Sequence, residues 1–180
     1  MTNNHVLNKD FVNNSSQLSI VFKNEERTIL LNNRIKYTNE KLDFTIIEIF
    51  SGDLNNEKIT FLEIDDYIMN NESENNYVKE DICIFQFPNG ELSFDKGEIE
   101  SFEEYKIKYF VSTESGSSGS PILLLNNNFK IIGIHKGWES EKNNLGIFMK
   151  YILNDLNSQG NNNNNKNRRF KSKIIKLKRV

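Results

Sequence analysis

The residues from Ser112 to His135 read Ser-Thr-Glu-Ser-Gly-Ser-Ser-Gly-Ser-Pro, then Ile-Leu-Leu-Leu-Asn-Asn-Asn-Phe-Lys-Ile-Ile-Gly-Ile-His. Serines set between glycines and followed by an apolar run suit nucleophilic attack on a carbonyl. A serine hydroxyl needs a base to take its proton and backbone N–H groups to hold the oxyanion that forms. Glycines let a short loop turn its N–H groups inward, in conformations that a Cβ forbids. The same composition suits a flexible linker, but this one is short and runs straight into Pro121 and a buried-strand pattern. The chain has only two histidines to serve as the base, His5 and His135. Aspartates that enter apolar strands, and so can orient an imidazole, stand at Asp43 and Asp81.

Gly116-Ser117-Ser118-Gly119-Ser120-Pro121 resembles the Gly-x-Ser-Gly-x-Pro signature of the chymotrypsin-like serine proteases. The resemblance makes Ser118 the nucleophile and the N–H groups of Gly116 and Ser118 the oxyanion hole. It also demands a histidine and an aspartate upstream, in that order. Thr2-Asn3-Asn4-His5-Val6 is similar to the family's Thr-x-x-His-Val. Leu42-Asp43-Phe44-Thr45-Ile46-Ile47 is similar to its Leu-Asp-Phe-Ala-Leu-Leu. His5 and Asp43 are therefore the expected partners. Asp81, in Asp81-Ile82-Cys83-Ile84-Phe85, is a rival that lies too near Ser118 for the family pattern. For either aspartate the alternative is a strand-edge residue at the surface. By the same resemblance Ser112 and Thr113 line one wall of a specificity pocket. His135, Lys136 and Gly137 form the other, whose edge pairs with substrate by strand addition. The Thr113/His135 pair looks like the glutamyl endopeptidases, the disulfide-free branch nearest in motif, and implies an acidic side chain at the cleavage site. Lys136 would help by charge and Glu114 would oppose. The alternative for His135 is a core histidine satisfied by a hydrogen bond.

These residues need a scaffold of short strands. Alternation and apolar runs predict strands over residues 18–22, 28–31, 35–37, 44–50 and 59–64, with 9–17 as loop. A second set is expected over 82–87, 91–94, 97–102, 105–111, 121–125, 129–135 and 146–149. Apolar spacing from Met149 to Leu156 predicts a closing helix. The fold class implied is all-β: two six-stranded antiparallel barrels of chymotrypsin-like type, the first incomplete, with a C-terminal helix. The expected organisation is a partial N-terminal barrel over 1–69, a polar linker over 70–76 and the second barrel with its helix over 77–157. An asparagine-rich, basic tail that should be disordered follows over 158–180. Family members have strands before the histidine turn, and here Met1 stands four residues before His5. The opening strands are thus expected to be missing, leaving unpaired edges and fewer contacts to fix the histidine.

Composition narrows the partners. Hydrophobic residues make up 37% of the 180, clustered in runs able to build a core. No apolar run is long enough for a membrane helix, and no signal peptide is legible. The one cysteine, Cys83, allows no internal disulfide. An intracellular, cytoplasmic location is expected, with the nucleus open through the tail. The formal charge of −2 hides an asymmetry: residues 161–180 hold eight of the 23 Lys/Arg and no acid. Such a tail can meet nucleic acid or an anionic surface, or stay solvated. No phosphate-binding loop or metal-ligand spacing is present, so no cofactor and no metal are expected, and the partner is a polypeptide substrate. Two functions follow: a serine endopeptidase, or an inactive protease-like module that binds peptides.

Overall fold

A computed structural model describes residues 1–55, 61–139 and 143–159. Of the tail expected to be disordered over 158–180, residues 158 and 159 are helical, and the rest lies outside the described residues. The chain divides into two compact units, Met1–Phe61 and Leu62–Val180. No helix among the described residues is long and apolar enough to cross a membrane.

The first unit opens with α1 (Lys9–Asn14), where loop was expected. Its signal is a cap and not a stripe: the Asn8 side chain accepts from the Phe11 N–H at 2.8 Å, and only Val12 is buried. Strands β1 (Gln17–Phe22) and β2 (Glu25–Leu30) form a hairpin. Its two turn residues, Lys23 and Asn24, both take left-handed backbone, φ 52° and 64°. That is the turn whose twist matches the flanking strands. Strands β3 (Lys36–Asn39) and β4 (Phe44–Ile47) form a second antiparallel pair. Ile29, Leu31, Phe44 and Leu54 are buried. A part-buried ion pair adds to them: Arg34 meets Asp53 through two bonds of 2.8 and 3.0 Å. Arg34 also donates to the carbonyls of Leu30 and Glu48 at 2.5 and 2.6 Å, so its fork is satisfied. The Arg34 bond holds the Asp53 carboxyl below its ordinary range, helped by the Phe50 N–H.

The second unit is built on a closed barrel of six strands. They are β5 (Asp81–Gln86), β6 (Ser93–Glu103), β7 (Lys106–Phe110), β8 (Pro121–Leu124), β9 (Ile131–Trp138) and β10 (Asn144–Phe148). The order around the barrel is β10-β7-β6-β5-β8-β9, every neighbour antiparallel. The two strands expected over 91–94 and 97–102 are one strand, β6. Ile82, Ile84, Ile99, Ile107, Tyr109, Ile122, Ile132 and Ile147 are buried in the barrel, and Cys83 is fully buried. Gly97 permits a close strand approach, since a Cβ there would lie 1.5 Å from the Phe110 carbonyl oxygen. The expected closing helix is α3 (Met149–Gln159), which buries Met149, Ile152, Leu153 and Leu156.

Before the barrel, the second unit holds a segment whose role no apolar pattern announces. Asp65, 2% exposed, accepts from the Tyr77 hydroxyl, from the Tyr67 N–H at 3.1 Å and from Asn127 Nδ2 at 2.5 Å. Ile64 pairs with Ile131 in a parallel bridge, which is what remains, among the described residues, of the strand expected over 59–64. The polar stretch 70–76 leads into α2 (Ser73–Tyr77), which brings Tyr77 to Asp65. Among the described residues the chain is thus mostly β, with a closed six-stranded barrel and a C-terminal helix, and the four strands described in the first unit fit an incomplete second barrel.

Candidate functional site

In the first unit, His5 sits on a tight turn closed by the Leu7 N–H donating to the Asn3 carbonyl at 3.1 Å. That turn is pinned to the β3–β4 pair. Thr2 and Thr45 exchange both backbone bonds, at 2.9 and 2.8 Å. Asn3 Nδ2 donates to the Asp43 carbonyl at 3.2 Å, and Asn4 Nδ2 to the Thr38 hydroxyl. The Thr45 hydroxyl donates to the Leu7 carbonyl at 2.7 Å. The histidine turn is therefore held from several sides by a polar clamp.

Asp43 faces that turn with its whole carboxylate. Oδ1 accepts from the His5 backbone N–H at 2.9 Å, and Oδ2 lies 2.9 Å from His5 Nδ1. The aspartate side chain is 9% exposed and the imidazole 47%. Asp43 has left-handed backbone, φ 51°, at the entry to β4. Aspartate is among the few residues that tolerate this region. With the carboxylate at Nδ1, that nitrogen carries the ring proton and Nε2 holds the basic lone pair. Asp81, the rival, opens β5 on an exposed position in register with Glu98.

In the second unit, Ser118 lies on the loop between β7 and β8. Gly116 and Gly119 take left-handed backbone, φ 97° and 87°, which only glycine adopts readily there. The Gly119 N–H donates to the His135 carbonyl at 2.9 Å, and the His135 N–H to the Ser120 carbonyl at 2.8 Å. The loop thus leans on β9. Inside it, the Ser117 N–H donates to the Glu114 carbonyl at 3.2 Å, and the Ser120 N–H to the Ser117 carbonyl at 3.1 Å. The N–H of Gly116 is not used in these bonds. Ser118 Oγ donates to the Lys136 carbonyl at 3.3 Å.

The remaining expected residues surround this loop within the same unit. The Ser112 N–H donates to Asp95 Oδ2 at 2.8 Å. Thr113 Oγ1 donates to Asn144 Oδ1 at 2.7 Å, while Asn144 Nδ2 donates to the Val111 carbonyl. His135 is 3% exposed, with Nδ1 2.5 Å from the Tyr109 hydroxyl. Burial pushes the Tyr109 phenol well up, so it remains the proton donor in this pair. Lys136 and Gly137 follow on β9, half-buried. The structure therefore brings His5 and Asp43 together in one unit. It gathers Ser112, Thr113, Gly116, Ser118, His135, Lys136 and Gly137 around one loop in the other. Sequence reasoning missed the supporting groups Asn3, Thr45, Gln86, Tyr109 and Asn144. Gln86 had a readable signal: it shares the strand parity of the core residues Ile82 and Ile84.

The profile of the trypsin-like peptidase domain matches residues 1–134, and the chain belongs to that family. Among solved structures, a serine endoprotease of Yersinia pestis has a similar fold: TM-score 0.61, 14% identity, 88% of this chain and 52% of that one covered. The Rv3671c protease of M. tuberculosis, in its active form, aligns with TM-score 0.62 and 13% identity, over 86% of this chain and 66% of that one. An HtrA-type protease solved with a decapeptide aligns with TM-score 0.60 and 14% identity, over 84% of this chain and 44% of that one. The chain spans about half the length of the Yersinia protein. No curated protein matches it.

Proposed function

We propose that the chain is a serine endopeptidase acting through His5, Asp43 and Ser118. The observation that carries the reading is the double clasp of Asp43 on the His5 turn. A carboxylate bonding both the backbone and Nδ1 of one histidine fixes ring direction and tautomer together. It presents Nε2 as base and stabilises the imidazolium that forms. In the reaction His5 Nε2 takes the Ser118 proton as Oγ attacks the substrate carbonyl. The N–H groups of Gly116 and Ser118 hold the oxyanion. The protonated His5 then gives its proton to the leaving amine, and water attacks the acyl-enzyme by the same route. Ser117 stands where zymogen-activated relatives carry an aspartate for a new N-terminus, so no such activation step is needed.

Ser112, Thr113, His135, Lys136 and Gly137 would bind the substrate. The Tyr109 hydroxyl on Nδ1 places the His135 ring proton on Nε2, a donor suited to a carboxylate. That favours an acidic residue at the cleavage site, as in the glutamyl endopeptidases. Peptide cleavage confined to basic or large apolar sites would remove this preference.

A second reading is peptide binding without cleavage, for which the Ser118 loop, bonded through Gly119 and Ser120 to His135 on β9, would supply a fixed edge for strand addition. Labelling with a fluorophosphonate probe separates the two. Labelling of the parent that is lost in Ser118→Ala and in His5→Ala supports the endopeptidase. A folded parent that stays unlabelled supports the binding module.

A further inference from the structure

We infer that Gln86 is a positioning residue for the nucleophile loop, setting the geometry of Ser118 through Ser117; the inference rests on the endopeptidase reading above. Gln86 ends β5 on the barrel's core-facing parity and is 3% exposed. A buried amide needs partners, and this one finds them on both arms of the loop. Its Nε2 donates to the Ser112 carbonyl at 3.2 Å, and its Oε1 accepts from Ser117 Oγ at 2.6 Å. One side chain, fixed on a barrel strand, thereby spans the loop from its entry to the residue before the nucleophile.

The chemistry of Ser117 makes this bond matter. Ser117 is 1% exposed, and its hydroxyl has one proton for two acceptors, Gln86 Oε1 and the Glu114 carbonyl at 2.7 Å. The second bond lies within the loop and ties it only to itself. Gln86 is the partner that ties Ser117 to the barrel. The peptide plane joining Ser117 to Ser118 carries the Ser118 N–H, the proposed oxyanion donor. A tilt at Ser117 therefore misdirects that N–H and the Ser118 Cα–Cβ bond together. The amide does without charge what an ion pair beside the nucleophile would do.

The test uses the full chain with two readouts: amide hydrogen exchange at Ser117 and Ser120, and the kinetics of fluorophosphonate labelling. Gln86→Met keeps the side-chain length and removes both bonds. It is expected to speed exchange at Ser117 and Ser120 and to lower the limiting labelling rate by about 100-fold, the scale of a 1 Å misplacement. Half-saturation by the probe should not change. Ser117→Ala should do the same, Ser117→Thr should restore the rate, and Gln86→Met/Ser117→Ala should be no worse than the worse single variant. A folded Gln86→Met with unchanged loop exchange overturns the inference, as do additive losses in the double variant. If the parent is unlabelled while Gln86→Met loosens the loop, the role of Gln86 in the loop stands and the endopeptidase reading falls. If Gln86→Met does not fold, exchange in Ser117→Ala decides: faster supports, unchanged overturns.

Discussion

Asp43 shows how much one side chain is asked to do. Its backbone is left-handed, its carbonyl accepts from Asn3, and its carboxylate takes two bonds from His5. Asp43→Asn preserves shape and backbone tolerance but can place an N–H2 group against the Nδ1 proton. The ring then favours the wrong tautomer, and labelling of Ser118 is expected to fall by about 10⁴-fold, as for this change in a catalytic triad. Circular dichroism of the same variant should be unchanged. Arg34 supplies a second prediction, on stability. Its side chain is 4% exposed and paired with Asp53, 12% exposed. Arg34→Met leaves a part-buried carboxylate without its guanidinium and should cost about 1–3 kcal/mol in urea unfolding. Because the Asp53 carboxyl titrates below its ordinary value, the pair's contribution is complete above the unfolded carboxylate pKa of about 3.9. It is lost as pH falls through the lower folded value. Unfolding measured from pH 7 to pH 2 should show that acid limb, and Asp53→Asn should flatten it.

At the scale of elements, strand contact is decided by small residues. Gly97→Ala puts a methyl 1.5 Å from the Phe110 carbonyl oxygen, so β6 and β7 must part. The loss should reach the upper end of about 1–3 kcal/mol for overpacking, by thermal unfolding. Gly137→Ala on β9 meets nothing within 4 Å and should leave the melting temperature nearly unchanged. The strands themselves were legible because alternation survives in them: Tyr105 to Val111 and Ile82 to Phe87 each read within a residue or two of β7 and β5. The histidine and serine loops were legible from residue types that only chemistry or turns require. What was illegible depends on partners distant in sequence. α1 shows no stripe, because its short length buries Val12 alone. Asp65 looks like any surface acid until Tyr77 and Asn127 fold onto it. The break of β6 into two expected strands followed Asp95 and Lys96, polar residues that a long strand with one exposed face carries without interruption.

As a whole, the molecule keeps two separate cores. Ile29, Leu31 and Phe44 belong to the first, and Ile82, Ile122 and Phe148 to the second. Paired hairpins are marginal by themselves, and a closed barrel has no open edge. Hydrogen exchange of Arg34→Met should therefore rise across β1–β4 while the amides of β5–β10 keep their protection; equal loss in both units would contradict separate cores. The barrel offers a further use. Cys83 is the chain's single thiol, fully buried in β5, with burial raising its pKa and so suppressing the reactive thiolate. Without any engineered label, a colourless thiol reagent that turns yellow on reaction would act as a stopwatch. Its colour would develop only as fast as the barrel opens, and would time the breathing of this unit while the other unit, lacking sulfhydryls, stays silent.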